Sequence, residues 1–346
     1  MEYVKLGRSG LKVSRIALGC WSFGDFQEWM IGPDRAKPIV DRAIDLGITF
    51  FDTANSYSWG RSERILGDIV KERRSDLVIA TKVFFPMSEK PNDFGLSRHH
   101  VMEQIEKSLE RLGTKYVDLY QTHMWDYETP IDETLRALDD LVQAGKTLYI
   151  GASNACAWQL SKALWTSEKL GLTSFVSAQN QYNLCYREEE RETIPLCFNQ
   201  GIGFLPFSPL ARGFLTGKYT RGKTSDTARY RSDPKLVRNF FKPEDFDIVE
   251  EVVRMANEKD VTPTQIALAW LLRKGVTAPI IGATKVEHVE EAVEALDVRL
   301  EAEDIQRLEA LYKPHPLPEE SWKLSPLAKP RSSVLMEAQK QLPDPM

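Results

Sequence analysis

Residues 48–63 read Ile48-Thr-Phe-Phe-Asp52-Thr-Ala-Asn-Ser-Tyr57-Ser-Trp-Gly-Arg-Ser-Glu63. A mostly apolar strand, Ile48 to Phe51, halts on the carboxylate of Asp52, and a turn-rich loop then carries Tyr57. A strand buried on both faces has no place for a charge at its end unless a partner meets it. Two further strands end the same way: Leu77-Val-Ile-Ala-Thr-Lys82 on an amine, and Val117-Asp-Leu-Tyr-Gln-Thr-His123 on an imidazole. An acid, a phenol, an amine and an imidazole at strand ends predict one shared site, and a fold that gathers strand ends in one place.

Outward from this stretch the chain repeats one unit. Residues 2–14 predict a hairpin around Gly7-Arg-Ser-Gly10, and Arg15 to Gly19 a first buried strand. Helices are predicted over Asp34–Leu46, Ser62–Lys71, Ser97–Leu112 and Thr129–Ala144, between strands 48–52, 77–82 and 117–123. The second half continues with strands over 146–151, 174–179, 203–207 and 278–282. Helices are predicted over 155–170, 187–200, 243–259, 262–274, 286–296 and 302–311. Eight buried strands, each followed by helix, predict parallel pairing closed into a (β/α)8 barrel. An open doubly wound sheet would want Gly-x-Gly-x-x-Gly after its first strand, and Leu18-Gly-Cys-Trp-Ser-Phe-Gly24 lacks it. The reading divides the chain into a barrel over 1–312 and a proline-rich tail over 313–346. Residues 208–241, rich in Gly, Arg, Ser and Thr, break the rhythm.

A net charge of −5 over 346 residues offers no basic field for nucleic acid. No run reaches the roughly 18 apolar residues of a membrane span, and the N-terminus lacks a signal-peptide core. Cys20, Cys156, Cys185 and Cys197 show no metal or disulfide spacing and read as thiols of a cytoplasmic protein. One histidine among the strand ends, with no second carboxylate beside Asp52, excludes a metal site from the reading.

Barrel enzymes work at the C-terminal ends of their strands. There Asp52 would keep Lys82 charged, and Lys82 would lower the pKa of Tyr57 from its usual ~10. His123 would donate a hydrogen bond to a carbonyl oxygen or relay a proton. The set predicts a tuned general acid aimed at an oxygen becoming an alkoxide.

Phe51-Asp52-Thr-Ala-Asn-Ser-Tyr57, Ala80-Thr-Lys82, Asp118-Leu-Tyr-Gln-Thr-His123, Gly151-Ala-Ser-Asn154, Phe207-Ser-Pro-Leu and Ile281-Gly-Ala-Thr-Lys285 together resemble the aldo-keto reductases, in the family's order. Within the family the segment 208–241 is most similar to the bacterial-type and potassium-channel β-subunit-like branch, where it folds over the cofactor. The resemblance implies NADPH-dependent reduction of a small carbonyl substrate, with Asp52, Tyr57, Lys82 and His123 as catalytic tetrad. It implies Ser153, Asn154 and Gln179 on the nicotinamide carboxamide and Phe207 stacked on its ring. Ser208, Leu210 and Lys218 would hold the pyrophosphate. Gly282, Thr284, Lys285, His288 and Glu291 would hold the adenosine end, and Cys20, Trp21 and Arg229 are assigned to the same cofactor. The chain departs from the family at His288, where arginine or glutamine is usual, and at Ala292, where asparagine is usual. Recognition of a 2′-phosphate then leans on Lys285. A homo-oligomer is left open.

Weaker signals have plainer readings. Ser153-Asn154 could cap the next helix, and Gln179 could satisfy a buried backbone group. Glu188-Glu-Glu-Arg reads as a solvated helix face. Gly213-Phe-Leu-Thr-Gly217-Lys218 is one residue too short for a phosphate-binding loop. Trp21, Trp59 and Trp125 read as walls of an apolar substrate pocket, with barrel-rim packing the competing reading. Two functions compete with carbonyl reduction: a cofactor-sensing accessory subunit, and a barrel lyase or isomerase without nicotinamide.

Overall fold

The structure, a computed structural model, describes residues 1–314. A hairpin of β1 (Tyr3–Lys5) and β2 (Lys12–Ser14) pairs antiparallel, with Val4 opposite Val13. Its Leu6 and Val13 are fully buried and join Phe50, Leu119 and Leu205 in a cluster inside the barrel. The barrel strands are β3 (Ala17–Gly19), β4 (Phe50–Asp52), β5 (Val78–Val83), β6 (Val117–Thr122), β7 (Thr147–Ser153), β8 (Ser177–Gln181), β9 (Gly203–Phe207) and β10 (Ile280–Gly282). They pair parallel in chain order, and β10 closes the ring by pairing with both β9 and β3. The predicted eight-stranded barrel is therefore the observed one.

Helices α1 (Pro33–Asp45), α2 (Arg61–Val70), α3 (Arg98–Leu112), α4 (Ile131–Gln143), α5 (Ala157–Leu170) and α6 (Thr193–Gln200) follow β3 to β8 in turn. On α3 the periodic positions Val101, Ile105, Leu109 and Leu112 are all buried. Ser97 caps its start by accepting from the His100 backbone N–H, and Gly113 ends it at φ +62°. After β9 come α7 (Ala228–Ser232), α8 (Pro234–Phe240), α9 (Pro243–Lys259) and α10 (Pro263–Arg273). The chain closes with α11 (Val286–Glu294) and α12 (Ala302–Ala310). Among the described residues no helix is long and apolar enough to cross a membrane. The predicted proline-rich tail lies, beyond Pro314, outside the described residues.

Two expectations fail locally. The helix predicted over 187–200 begins only at Thr193, after a 3-10 turn at Glu188–Glu190. Pro195 explains the late start, because a helix arriving from upstream would meet its ring at the carbonyl four residues back. Nor is Glu188-Glu-Glu a solvated face. Glu189 is buried and accepts from Asn180 Nδ2 at 2.8 Å. Glu190 accepts from Arg187 at 2.8 Å, and Glu188 accepts from the Tyr312 hydroxyl at 2.6 Å.

Helices α2 and α3 meet at Gly67, where an added Cβ would sit 2.5 Å from the Leu112 carbonyl oxygen. That neighbour is backbone and cannot swing away. Gly67→Val is expected to overpack the contact and cost about 1–3 kcal/mol, read as a lowered urea midpoint at unchanged m-value.

Candidate active site

The barrel delivers the predicted strand-end groups to one place. Asp52 ends β4, Lys82 is the penultimate residue of β5, and His123 follows β6 directly. Tyr57 comes from the β4–α2 loop. Lys82 is fully buried, and its three ammonium donors are each engaged. They reach Asp52 Oδ1 at 2.5 Å, the Thr53 carbonyl at 2.8 Å and the Tyr57 hydroxyl oxygen at 3.1 Å. Burial alone would strip the ammonium of its charge. Asp52 and Tyr57 outweigh it, so the Lys82 pKa lies above its ordinary value.

The second oxygen of Asp52 accepts from Gln121 Nε2 at 3.0 Å and from Gln179 Nε2 at 2.8 Å. Gln179 Nε2 also donates to Gln121 Oε1 at 3.2 Å. Both amide hydrogens of Gln179 are thus spent on neighbouring side chains, and its Oε1 remains as an acceptor. Gln121 was quoted in the sequence only as part of a motif; its inward position on a middle strand was the available signal.

The tyrosine corrects one expectation. Burial raises the Tyr57 pKa, and this outweighs the lowering by Lys82, so the net direction is upward. The phenol is held protonated more firmly than in water. His123 is pushed well below its usual value by burial and then by Lys82, so it is neutral. Its ring stands edge-on to Tyr57 (5.6 Å between centroids) and to Phe85 (4.9 Å).

A cavity of about 1590 Å³ opens over these groups. Its lining includes Asp52, Tyr57, His123, Ser153, Asn154, Gln179, Phe207, Ser208 and Leu210 near the strand ends. Lys218, Arg229, Gly282, Thr284, Lys285, His288 and Glu291 also line it, as do Trp21 and Trp59. Two predicted residues are not brought in. Cys20, in the 3-10 turn that follows β3, is fully buried beneath the cavity floor, its thiol 3.9 Å from the Leu18 carbonyl and close enough to Asp52, Tyr57 and Lys82 to act on them electrostatically. Trp125 packs on Trp158 at 6.0 Å and against the core, which is the rim packing weighed against a pocket role. Ser153 and Asn154 do not cap α5, whose N-cap is Cys156. Asn154 Nδ2 instead donates to the His123 carbonyl at 3.0 Å and to Ser153 Oγ at 3.1 Å.

The sequence also left out Trp29, Phe26, Phe85, Arg35 and Arg212, all of which line the cavity. They come from loops and a helix start with no periodicity to mark them. Two guanidinium groups, Arg212 and Arg229, each stand 5.0 Å from the Trp21 ring, and Arg229 stands 4.0 Å over Trp29. Buried Asp233 accepts from Arg212 at 2.7 Å and from Arg229 at 3.1 Å. Burial and then Arg212, against Asp233, bring Arg229 down to about 10. Of seven non-glycine residues with positive φ among the described residues, Ser58, Trp59, Asn154, Ser208 and Arg212 line this cavity. Backbone strain of that kind persists where the surroundings over-determine it, commonly at sites of function.

A closed parallel barrel with a charged cluster and a large cavity at the C-terminal ends of its strands defines a barrel enzyme class. The sequence model described as the Aldo/keto reductase family matches residues 15–313. The chain is 39% identical to the versiconal hemiacetal acetate reductase of Aspergillus parasiticus, over 91% of this chain and 98% of that protein. It is also 39% identical to a putative aryl-alcohol dehydrogenase of Saccharomyces cerevisiae, with coverage of 91% and 98%. A probable voltage-gated potassium channel subunit beta of Arabidopsis thaliana is 38% identical, over 86% of this chain and 92% of that protein. The protein belongs to the aldo/keto reductase family, and its reductase- and dehydrogenase-named relatives make it an oxidoreductase.

Lys82→Met is expected to leave Asp52 as a buried charge without its ion-pair partner. The loss should be about 3–5 kcal/mol of stability, measured by urea unfolding. A midpoint unchanged from wild type would show that the pair is not holding the strand ends.

Proposed function

We propose that the protein is an NADPH-dependent carbonyl reductase acting reversibly on aromatic aldehydes and ketones, with Asp52, Tyr57, Lys82 and His123 as its catalytic groups. One observation carries the reading. The Tyr57 hydroxyl oxygen accepts from Lys82, so the phenol's own proton is the one left to donate.

The residues present fit a dinucleotide. Among the cavity's cations, Lys218 is held below its usual value by desolvation and then by Arg229 and Lys285. A lysine depressed by two neighbouring cations suits a polyanion. Near the strand ends, Gln179 and Asn154 have spent their N–H groups and keep acceptor oxygens, while Ser153 keeps a hydroxyl proton. That donor set complements a carboxamide. When bound, the reduced nicotinamide supplies a hydride to the carbonyl carbon.

Tyr57 donates its proton to the carbonyl oxygen as negative charge develops there, and Lys82 stabilises the phenolate that remains. Neutral His123 orients the same oxygen. Its Nδ1 is buried without a partner among the described residues, and Nε2 is the nitrogen assigned here to donate. Trp21, Trp29, Trp59 and Phe85 wall the cavity with aromatic surface, which favours a flat apolar substrate. The name of the yeast relative, a putative aryl-alcohol dehydrogenase, points the same way.

Tyr57→Phe should bind NADPH normally and lose at least the ~10²–10⁴-fold typical of general acid catalysis. Because the Tyr57 pKa is raised above 10, reduction by the wild type should stay flat through neutral pH and fall only as the phenol ionises. Alcohol oxidation, which needs the phenolate, should rise with pH. Near-normal kcat in Tyr57→Phe would remove the acid assignment.

Preference for NADPH is assigned to Lys285, Thr284 and the N-terminus of α11, which favours anions. His288 accepts from the Thr284 backbone N–H through Nδ1 at 3.3 Å, which leaves Nε2 to donate. Arg35 donates to the Thr284 carbonyl at 3.3 Å and adds a second cation at this end. Of the glutamates at this end, Glu290 is engaged by Arg42 at 2.7 Å and Glu287 does not line the cavity, whereas Glu291 lines it near His288. Lys285→Ala should narrow the preference for NADPH over NADH by roughly 10–100-fold, the loss of one charge-assisted contact of ~1.5–3 kcal/mol. Equal effects on the two cofactors would remove Lys285 from that role.

The channel-subunit relative supports a second reading, a cofactor-binding accessory subunit. Steady-state turnover of NADPH with a reactive aromatic aldehyde separates the two. Sustained turnover supports the enzyme, and tight NADPH binding without turnover supports the subunit.

A further inference from the structure

A chain of buried side chains leads away from the catalytic loop. Asn55, two residues before Tyr57, is fully buried, and its backbone N–H donates to the Lys82 carbonyl at 3.2 Å. Its Nδ2 donates to Gln104 Oε1 at 3.1 Å, and Gln104 Nε2 donates to Asp93 Oδ1 at 2.7 Å. His100 Nδ1 lies 3.2 Å from the same Asp93 oxygen. Gln104 and His100 are fully buried on α3, and Asp93 is buried in the β5–α3 connection.

That connection also carries Phe85, whose ring meets one side of His123, while the Asn55 loop carries Tyr57 to another. Gln104 therefore links from behind the two loops that flank the imidazole. We propose that Gln104 is a positioning residue for carbonyl reduction, fixing the loop of Tyr57 against that of Phe85 through a hydrogen-bond chain whose direction Asp93 sets. An ionised carboxylate only accepts, so Gln104 must turn its amide NH₂ to Asp93 and its oxygen to Asn55. Asn55 must then turn its own NH₂ to Gln104, and its Oδ1 is left without a partner among the described residues. Burial would raise the Asp93 pKa, but the neighbouring His100 and Ser88 side chains outweigh it and hold the carboxyl below its usual value.

The direction makes the chain reversible by design. Asn55→Asp places carboxylates at both ends of Gln104, which has only one donating end. Asn55→Asp with Asp93→Asn inverts both ends, and a flipped Gln104 satisfies them again.

The kinetic arm rests on the carbonyl-reductase reading, which wild-type turnover tests alone; a thermal-unfolding cycle over the same variants reads the chain without turnover. Gln104→Leu and Asn55→Asp should each lower kcat roughly 10–100-fold, the scale of a small misplacement of a catalytic group. NADPH affinity, followed by fluorescence, should stay within about twofold of wild type, as the cofactor groups are untouched. The double variant should recover both kcat and melting temperature relative to Asn55→Asp. A folded Gln104→Leu with unchanged kcat overturns the proposal. So does a double variant no better than Asn55→Asp, or one that recovers stability but not kcat. If Gln104→Leu does not fold, the Asn55 and Asp93 variants decide.

Discussion

The buried ion pair between Lys82 and Asp52 constrains the rest of the molecule. Taking two opposite charges out of water costs several kcal/mol per ion, and their attraction repays it only when every remaining donor and acceptor is met. Here the ammonium spends its third donor on Tyr57, and the carboxylate's second oxygen is held by Gln121 and Gln179. Those partners come from β4, β5, β6, β8 and the β4–α2 loop. The closed barrel satisfies the pair by bringing the ends of four strands together.

The same burial sets the chemistry. Around Tyr57, desolvation and the Lys82 charge oppose each other, and desolvation is the larger. The lysine therefore does not turn the tyrosine into a ready phenolate. It holds the phenol oxygen in place and limits how far burial raises its pKa. An acid that keeps its proton until an alkoxide forms suits reduction at neutral pH. Burial also keeps His123 neutral, so it adds no second positive charge beside the lysine.

The fold was legible because its signals are periodic and local. Alternating apolar strands and amphipathic helices, with glycines such as Gly113 at helix ends, prescribe the repeating unit without reference to long-range contacts. The strand-end groups were legible for the same reason, since a charge closing an apolar strand is anomalous wherever it occurs. Loop-borne partners were not legible. Trp29, Arg212 and Asp233 meet only in three dimensions, and nothing in their spacing announces it. Cys20 and Trp125 went the other way: both sit just past strand ends, but one is fully buried and does not line the cavity, and the other lies in rim packing. Glu189 was misread because a run of charge resembles a solvated face until a buried partner such as Asn180 is seen. The direction of the Tyr57 shift was missed because a sequence lists neighbours but does not say how much water they exclude.

The central claim is that this barrel mouth passes hydride directly to a carbonyl carbon while a side chain supplies the proton. The most direct measurement uses the purified wild-type protein, an aromatic aldehyde, and NADPH deuterated at the transferable position, with the alcohol product analysed by mass spectrometry. The account predicts one deuterium, carried on the carbinol carbon and retained when the reaction is run in ordinary water. An alcohol whose carbinol hydrogen comes from solvent, or no alcohol from a protein that binds the cofactor, would contradict it.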